Sequence, residues 1–131
     1  MKWKVASLLF GIVLFWNCGG DNKSQGQRLY DYHCSNCHMN NGEGLGALYP
    51  PLAEADYFIN HEESIPCIVR YGLEGPIEVN GTTYNQAMAG IKEINPVEMA
   101  NLMNYMMRTF YDRPDYFISP EEVRSLLEQC E

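Results

Sequence analysis

Two segments in the second half of the chain carry the clearest helical pattern. After Asn95 and again after Ser119, a polar capping residue is followed by proline and, three residues beyond the cap, by glutamate, which is the start signal of a capped helix. Apolar residues then recur at intervals of three and four over residues 96–109 and 120–129. The predicted inward faces are Met99, Leu102, Met103, Met106 and Phe110 in the first helix and Val123, Leu126 and Leu127 in the second.

The first half of the chain predicts shorter helices. Ser24 is a suitable N-cap for a helix over residues 25–34, whose apolar and aromatic positions also recur at three and four. Two further helices are expected over residues 56–60 and 64–71. In the second of these, Ser64 stands at the N-cap and a proline lies in the first turn.

A small hairpin is predicted between these helices and the C-terminal ones. Asn80-Gly81 separates two short β-prone runs, residues 77–79 and 82–84, and this dipeptide is the strongest short-range hairpin signal. Strands of this length cannot define a β fold. The pattern therefore predicts an all-α domain with one hairpin excursion.

The N-terminus has the pattern of an export signal. Lys2 and Lys4 precede a hydrophobic stretch over residues 5–16, which is too short to span a bilayer as a helix. We therefore predict that residues 1–17 are a signal peptide and that the protein is exported.

Cys18 follows the signal and, with Gly19 and Gly20, resembles a bacterial lipoprotein cleavage and lipidation site. The alternative is an ordinary buried or disulfide-bonded cysteine, but the polar, glycine-rich run after it cannot form a core. We predict a lipid on Cys18 and a flexible tether over residues 18–25. The protein would then be held on the periplasmic side of a membrane.

The charge of the chain excludes one class of partner. The chain has 9 basic and 17 acidic residues, a formal net charge of -8. Removing the signal peptide takes away Lys2 and Lys4 and no acidic residue, which leaves 7 basic and 17 acidic residues and a net charge of -10. Nucleic acid is therefore not an expected partner. A basic docking surface on a partner is favoured, although the same charge also suits a merely soluble surface.

The segment from Cys34 to His38 reads Cys-Ser-Asn-Cys-His, and Cys-x-x-Cys-His is the sequence to which haem is covalently attached as a c-type cofactor. The thiols of Cys34 and Cys37 can each form a thioether with one haem vinyl group, while the imidazole of His38 binds the iron as proximal ligand. The motif predicts one haem c with its iron.

Two other types of site contain Cys-x-x-Cys, and neither suits this chain. A zinc site needs two more ligands at comparable spacing, whereas Cys67 and Cys130 stand alone and His33 and His61 are not paired. A thioredoxin-like motif needs a preceding strand, and the sequence predicts a helix there. Cys67 and Cys130 then remain as an even pair in a compartment that permits disulfides. They form either one disulfide that fastens the C-terminal segment or two separate thiols.

Residues 26–110 resemble the small single-haem cytochrome c family, in the class with histidine and methionine axial ligands. Gly26 and Tyr30 are similar to the first-helix residues that pack against Leu102 and Tyr105 of the last helix in that family. The resemblance implies an all-α, cytochrome c-like fold of about four to five helices around one haem. It leaves residues 111–131 as a C-terminal extension with a short helix.

The resemblance also implies roles around the proximal ligand. Pro50 and Leu52 match the family's Pro-x-Leu, in which the proline carbonyl accepts a hydrogen bond from the proximal histidine and the leucine lines the haem. Such a bond would orient His38 and increase its basicity. Pro51 is an alternative match for the proline.

The sixth ligand is expected in the segment from Tyr84 to Gly90, which resembles the family's distal methionine loop. Met88 lies in this segment, whereas the methionines of the capped helix are expected to fill the core. His33 and His61 are rival ligands. Arg70 resembles a residue that neutralises a haem propionate, and Tyr84 could donate to a propionate or toward a thioether.

With both axial positions filled, the resemblance implies an electron carrier rather than an enzyme. The expected function is single-electron transfer between redox proteins of a respiratory chain, which would dock transiently on a membrane-tethered cytochrome. The alternative is a haem-based enzyme or a gas-sensor subunit in which the sixth ligand can be displaced.

Overall fold

The computed structural model describes residues 22–130. The predicted signal peptide, the lipidation site at Cys18 and the first part of the tether lie outside the described residues. Within residues 22–130 no helix has the length and apolar character that a membrane crossing requires. The structure there is all-α with short strands, as predicted. Its helices are α1 (Gln25–His33), α2 (Ser35–His38), α3 (Asp56–Asn60), α4 (Ile65–Tyr71), α5 (Pro96–Phe110) and α6 (Pro120–Leu127).

The start signals of α1, α5 and α6 are confirmed. The side chain of Ser24 accepts a hydrogen bond from the backbone of Gln27, and complete capping boxes begin at Asn95 and Ser119. Ser64 is at the N-cap of α4, as predicted, but it caps the helix without a side-chain hydrogen bond. A 3-10 turn, Glu62–Ser64, runs directly into α4 and holds Ser64 in helical conformation, so its side chain makes no capping hydrogen bond.

Two pairs of short strands follow α4. The predicted hairpin is present, and its turn places Asn80 at φ 50° and Gly81 at φ 75°, which suits the Asn-Gly sequence. A second antiparallel pair, not predicted, brings Leu73 opposite Met88. Met88 is therefore in a short strand rather than in an unpaired loop. The strands are β1 (Gly72–Leu73), β2 (Ile77–Val79), β3 (Thr82–Tyr84) and β4 (Met88–Ala89).

The core is organised by the crossing of α1 and α5. A Cβ atom on Gly26 would lie 2.1 Å from the backbone oxygen of Asn101 and 2.6 Å from Tyr105 Cβ, so only glycine permits this approach. The buried ring of Tyr30 lies 5.7 Å from the ring of Tyr105 and 5.2 Å from that of Phe110. The expected packing of Gly26 and Tyr30 against the last helix of the domain is present.

The C-terminal extension packs against α4 and α5. The Asn104 side chain donates to the Ile118 carbonyl at 3.0 Å and accepts from the Ile118 N–H at 2.9 Å. Val123 of α6 is fully buried. Beyond α6, Cys130 forms a disulfide with Cys67 of α4, with their Cα atoms 5.6 Å apart. The structure therefore contains the paired arrangement of these two cysteines rather than two separate thiols.

Candidate functional site

A cavity of about 300 Å³ lies between the Cys-x-x-Cys-His segment, α4, the short strands and α5. Most of its wall is apolar, which suits a hydrophobic ligand. The apolar side chains include Leu52, Phe58, Ile68, Val69, Leu73 and Met106.

The turn between α1 and α2 places the Cys-x-x-Cys-His motif on the wall of this cavity. Cys34 ends α1 by donating its N–H to the Tyr30 carbonyl at 2.8 Å, and its own carbonyl accepts from Cys37 at 3.2 Å and His38 at 2.9 Å. This tight turn places both thiols and the imidazole on the cavity wall. Neither cysteine is in a disulfide. Burial, and secondarily the nearby Cys37, raises the pKa of Cys34 to about 12, so its thiol is protonated.

His38 is buried and its ring is held by one hydrogen bond. The Nδ1 atom lies 2.9 Å from the Pro50 carbonyl oxygen. Because a carbonyl only accepts, Nδ1 must carry the hydrogen, and in the neutral imidazole the lone pair is then on Nε2. Burial lowers the pKa of His38, while the bond to Pro50 acts in the opposite direction. The ring is thus a neutral imidazole with Nε2 available to a metal. The partner is Pro50, not Pro51.

The glycine-rich loop allows Pro50 to reach His38. Gly44 has φ 73°, and a Cβ on it would lie 2.5 Å from the Tyr49 oxygen and 2.6 Å from the Pro50 carbonyl carbon. The Gly44 N–H donates to the His38 carbonyl at 3.0 Å. Because Gly44 has no side chain, its backbone can lie close to that of residues 49–50. This close contact places the Pro50 carbonyl within hydrogen-bond distance of the His38 imidazole.

Met88 lines the same cavity from β4. Two glycines allow the backbone around Met88 to lie directly against the end of α4. A Cβ on Gly72 would lie 2.5 Å from the Met88 backbone oxygen, and a Cβ on Gly90 would lie 2.5 Å from the Arg70 backbone oxygen. Next to this contact, the Ile91 N–H donates a hydrogen bond to the Val69 carbonyl at 2.8 Å. The position of Met88 is therefore set by its backbone contacts with residues 69–73.

Comparison with known proteins shows the family of the chain. The family model described as Cytochrome c matches residues 24–110. The chain belongs to the cytochrome c family. The predicted cytochrome c-like fold is thereby confirmed, as is the covalently bound haem c with its iron.

Three relatives show how far the similarity extends. Cytochrome c-552 of Thermus thermophilus is 31% identical over 94 residues, which cover 69% of this chain and 71% of the relative. A second cytochrome c-552, from a named strain of the same species, is 31% identical over 94 residues, covering 69% of this chain and 63% of that protein. The cytochrome c subunit of a quinone alcohol dehydrogenase from Gluconobacter oxydans is 30% identical over 112 residues. These are 84% of this chain but 23% of that subunit.

The residues present fit haem c. The thiols of Cys34 and Cys37 and the imidazole of His38 meet on one cavity wall, Nε2 of that imidazole carries a lone pair, and a thioether sulfur comes from Met88. A zinc site has no support, since residues 22–130 contain no group of three or more His, Cys, Asp or Glu side chains suited to a metal ion.

The structure separates the remaining predicted site residues into two groups. Tyr84 and His33 line the cavity, whereas His61 is not on its wall and stacks on Tyr57 with ring centroids 4.1 Å apart. Arg70 is also absent from the wall, and its guanidinium donates to the Lys92 carbonyl at 3.5 Å. The structure therefore does not bring Arg70 to the cavity where a propionate partner was expected.

Sequence reasoning missed three polar or sulfur-bearing residues on the wall, Tyr49, Gln86 and Met106. Met106 had been assigned to the core face of α5, and it is indeed almost fully buried. The signal that could have identified it is its place on the same helical face as Leu102 and Met99. One face of α5 packs into the core and also lines the cavity, so a residue predicted on the core face can also be a wall residue.

Proposed function

We propose that this chain is an electron carrier in which His38 and Met88 are the two axial ligands of a haem attached through Cys34 and Cys37. The observation that carries the proposal is the presence of both side chains on one buried cavity, with the imidazole already oriented by Pro50. When bound, the haem iron supplies reversible one-electron chemistry.

Each residue has a distinct part in this function. The thiols of Cys34 and Cys37 add their sulfur and hydrogen across the two vinyl groups, which makes attachment permanent. The Pro50 carbonyl holds the hydrogen on Nδ1 of His38, which leaves the lone pair on Nε2, and this atom would bind the iron with increased basicity. The Met88 sulfur would bind the iron on the other side, favour the ferrous state and raise the potential. Apolar residues such as Val69 exclude water from the cavity.

The chain provides a matched pair of variants to test the sixth ligand. Met88 and Met106 both line the cavity, and replacement by leucine conserves much of the volume. In the haem-loaded protein, Met88→Leu should abolish the weak ferric absorption band at the red end of the spectrum and allow carbon monoxide to bind the reduced protein. Met106→Leu should leave both properties unchanged.

The same experiment separates the alternatives. If Met88→Leu retains the red-end band, Met88 is not the ligand; if Met106→Leu loses it instead, the ligand comes from α5. Rapid carbon monoxide binding by the unsubstituted, reduced protein would favour the haem-based enzyme or gas sensor with a displaceable ligand.

The proposed partners are redox proteins of a respiratory chain that dock transiently. The similarity to the cytochrome c subunit of a quinone alcohol dehydrogenase supports a dehydrogenase as one such partner. The net charge of -10 expected after signal removal supports a basic docking surface, because opposite charges speed encounter. Electron-transfer rates with a basic partner should then fall steeply as salt is added, and a rate independent of salt would contradict this part of the proposal.

Membrane attachment is proposed through a lipid on Cys18, after export and removal of residues 1–17. The sequence of the lipidation site supports this proposal. Mass spectrometry of the mature protein from cells should show an N-terminal cysteine with an attached lipid, in addition to the haem. Cys18→Ser should release a haem-loaded protein from the membrane fraction. A mature protein that begins at another residue would refute the proposal.

A further inference from the structure

The disulfide between Cys67 and Cys130 lies on α4, the helix that also forms part of the cavity wall. Cys67 is half-buried and contacts the last turn of α6, where its sulfur lies 3.8 Å from the Leu126 carbonyl oxygen. Ile68 and Val69, the next two residues of the same helix, line the cavity. The bridge therefore acts on a helix of only seven residues, Ile65–Tyr71, whose position defines part of the haem site.

The C-terminal end of α4 is joined directly to the segment that carries Met88. The Val69 carbonyl accepts from the Ile91 N–H, and Leu73 is paired with Met88 in the two-stranded sheet. The backbones are also in contact at Gly72, where a Cβ would lie 2.5 Å from the Met88 oxygen. A shift of α4 must therefore move the Met88 backbone with it, because close-packed backbones transmit displacement.

The other end of the bridge is anchored to the central helix α5. Val123 of α6 is fully buried in the core cluster, and α6 packs against α5. Before α6, the Asn104 side chain of α5 makes two hydrogen bonds to the backbone of Ile118. At the start of the extension, Arg113 forms an ion pair with Glu62 at 2.9 Å. Residues 111–130 thus run from α5 to α4 along the outside of the domain.

We propose that residues 111–130, which we name the C-terminal brace, position the Met88 sulfur on the haem iron by fixing α4 through the disulfide. Cys67 and Cys130 are positioning residues in this scheme, because they act on Met88 through α4 and β1 and do not touch the cofactor. The inference rests on the proposed ligation by Met88 and extends it to the contacts that hold the ligand in place.

The test measures how often Met88 leaves the iron. Cyanide binds ferric haem only when the sixth position is open, so the rate of cyanide binding to the haem-loaded ferric protein reports this opening. The double variant Cys67→Ala with Cys130→Ala should bind cyanide about 2- to 30-fold faster than the unsubstituted protein, the range seen for effects carried through packed neighbours. Its red-end band should also disappear at a lower temperature.

A matched control separates positioning from general stability. Ser24 caps α1 and is remote in sequence from α4, the Met88 segment and the brace, so Ser24→Ala should lower the unfolding temperature but leave the cyanide rate unchanged. If the double variant binds cyanide at the unsubstituted rate, the brace does not position Met88. An equal acceleration by Ser24→Ala would also overturn the inference, because general loosening would then explain the result.

A second variant keeps the test decisive if the double variant takes up no haem. Asn104→Ala removes both hydrogen bonds to Ile118 and leaves the disulfide in place. It should accelerate cyanide binding in the same direction, and an unchanged rate would overturn the inference. Failure of the proposed ligand itself gives a different result: Met88→Leu would then have the same red-end absorption as the unsubstituted protein and would bind cyanide at the same rate.

Discussion

Gly26→Ala tests the crossing of α1 and α5, on which the core depends. The added Cβ would lie 2.1 Å from the Asn101 backbone oxygen and 2.6 Å from Tyr105 Cβ. Since a carbon and an oxygen rarely approach closer than about 3.3 Å, the two helices would have to move apart by about 1 Å. Backbone cannot rotate away as a flexible side chain can, so the strain falls on the whole helix pair.

The expected cost is about 1–3 kcal/mol of unfolding free energy, the usual range for an extra methyl group in a well-packed site. Alanine favours a helix over glycine by up to about 1 kcal/mol, and this effect opposes the strain. For a domain slightly longer than 100 residues, each kcal/mol lowers the unfolding temperature by about 4 °C. We therefore expect Gly26→Ala to lower it by about 4–12 °C.

Thermal unfolding of the haem-loaded protein, followed by circular dichroism, measures the effect. The near-ultraviolet signal should also change, because Tyr30 and its ring neighbours lie at the crossing. Gly46→Ala is the control: nothing lies within 4 Å of a Cβ at Gly46, where φ is +54°, so only a backbone cost of about 1 kcal/mol applies. A Gly26→Ala protein as stable as the unsubstituted one would show that the helices are not in such close contact.

Three further predictions concern the C-terminal brace. Replacing Cys67 and Cys130 together by alanine removes a link that spans 63 residues and should lower the unfolding free energy in denaturant by about 4 kcal/mol from chain entropy; a loss below about 1 kcal/mol would contradict that account. Tyr111→Phe removes a hydroxyl that lies within hydrogen-bond distance of two backbone carbonyls and should cost about 1 kcal/mol in the same assay, whereas no loss would mean that this hydroxyl is not bonded in solution. Hydrogen bonds from Ser119 lower the pKa of Glu122, so its support of α6 should be present above the glutamate pKa of the unfolded chain and lost as pH falls through the folded value. Carbon NMR titration of the Glu122 carboxyl checks this, Glu122→Gln is the control that lacks the titration, and a midpoint at or above the ordinary glutamate value would refute it.

The elements that local chemistry determines could be predicted from the sequence. Capping residues before proline and glutamate marked the starts of α5 and α6, and Asn80-Gly81 marked the hairpin. In each case the deciding hydrogen bonds or backbone angles lie within a few residues of the signal. The haem motif is local in the same sense, since Cys34, Cys37 and His38 are brought together by one helical turn.

Contacts between distant residues could not be predicted in this way. The strand pair of Leu73 with Met88 depends on glycines at two separate places in the chain, and neither glycine indicates its partner. The sequence also could not distinguish Pro50 from Pro51, because both have carbonyls and the choice depends on how the preceding loop turns. Arg70 shows the same limit, since its position on α4 does not reveal that its guanidinium faces the Lys92 carbonyl.

The crossing of α1 with α5 also has a consequence for the order of events as the protein is made. The attachment motif follows α1 directly, whereas Met106, which closes part of the cavity wall, belongs to the last helix of the domain. During synthesis from the N-terminus, Cys34 and Cys37 therefore appear well before the wall that buries them. The thiols stay accessible until the two ends of the domain meet and the site closes.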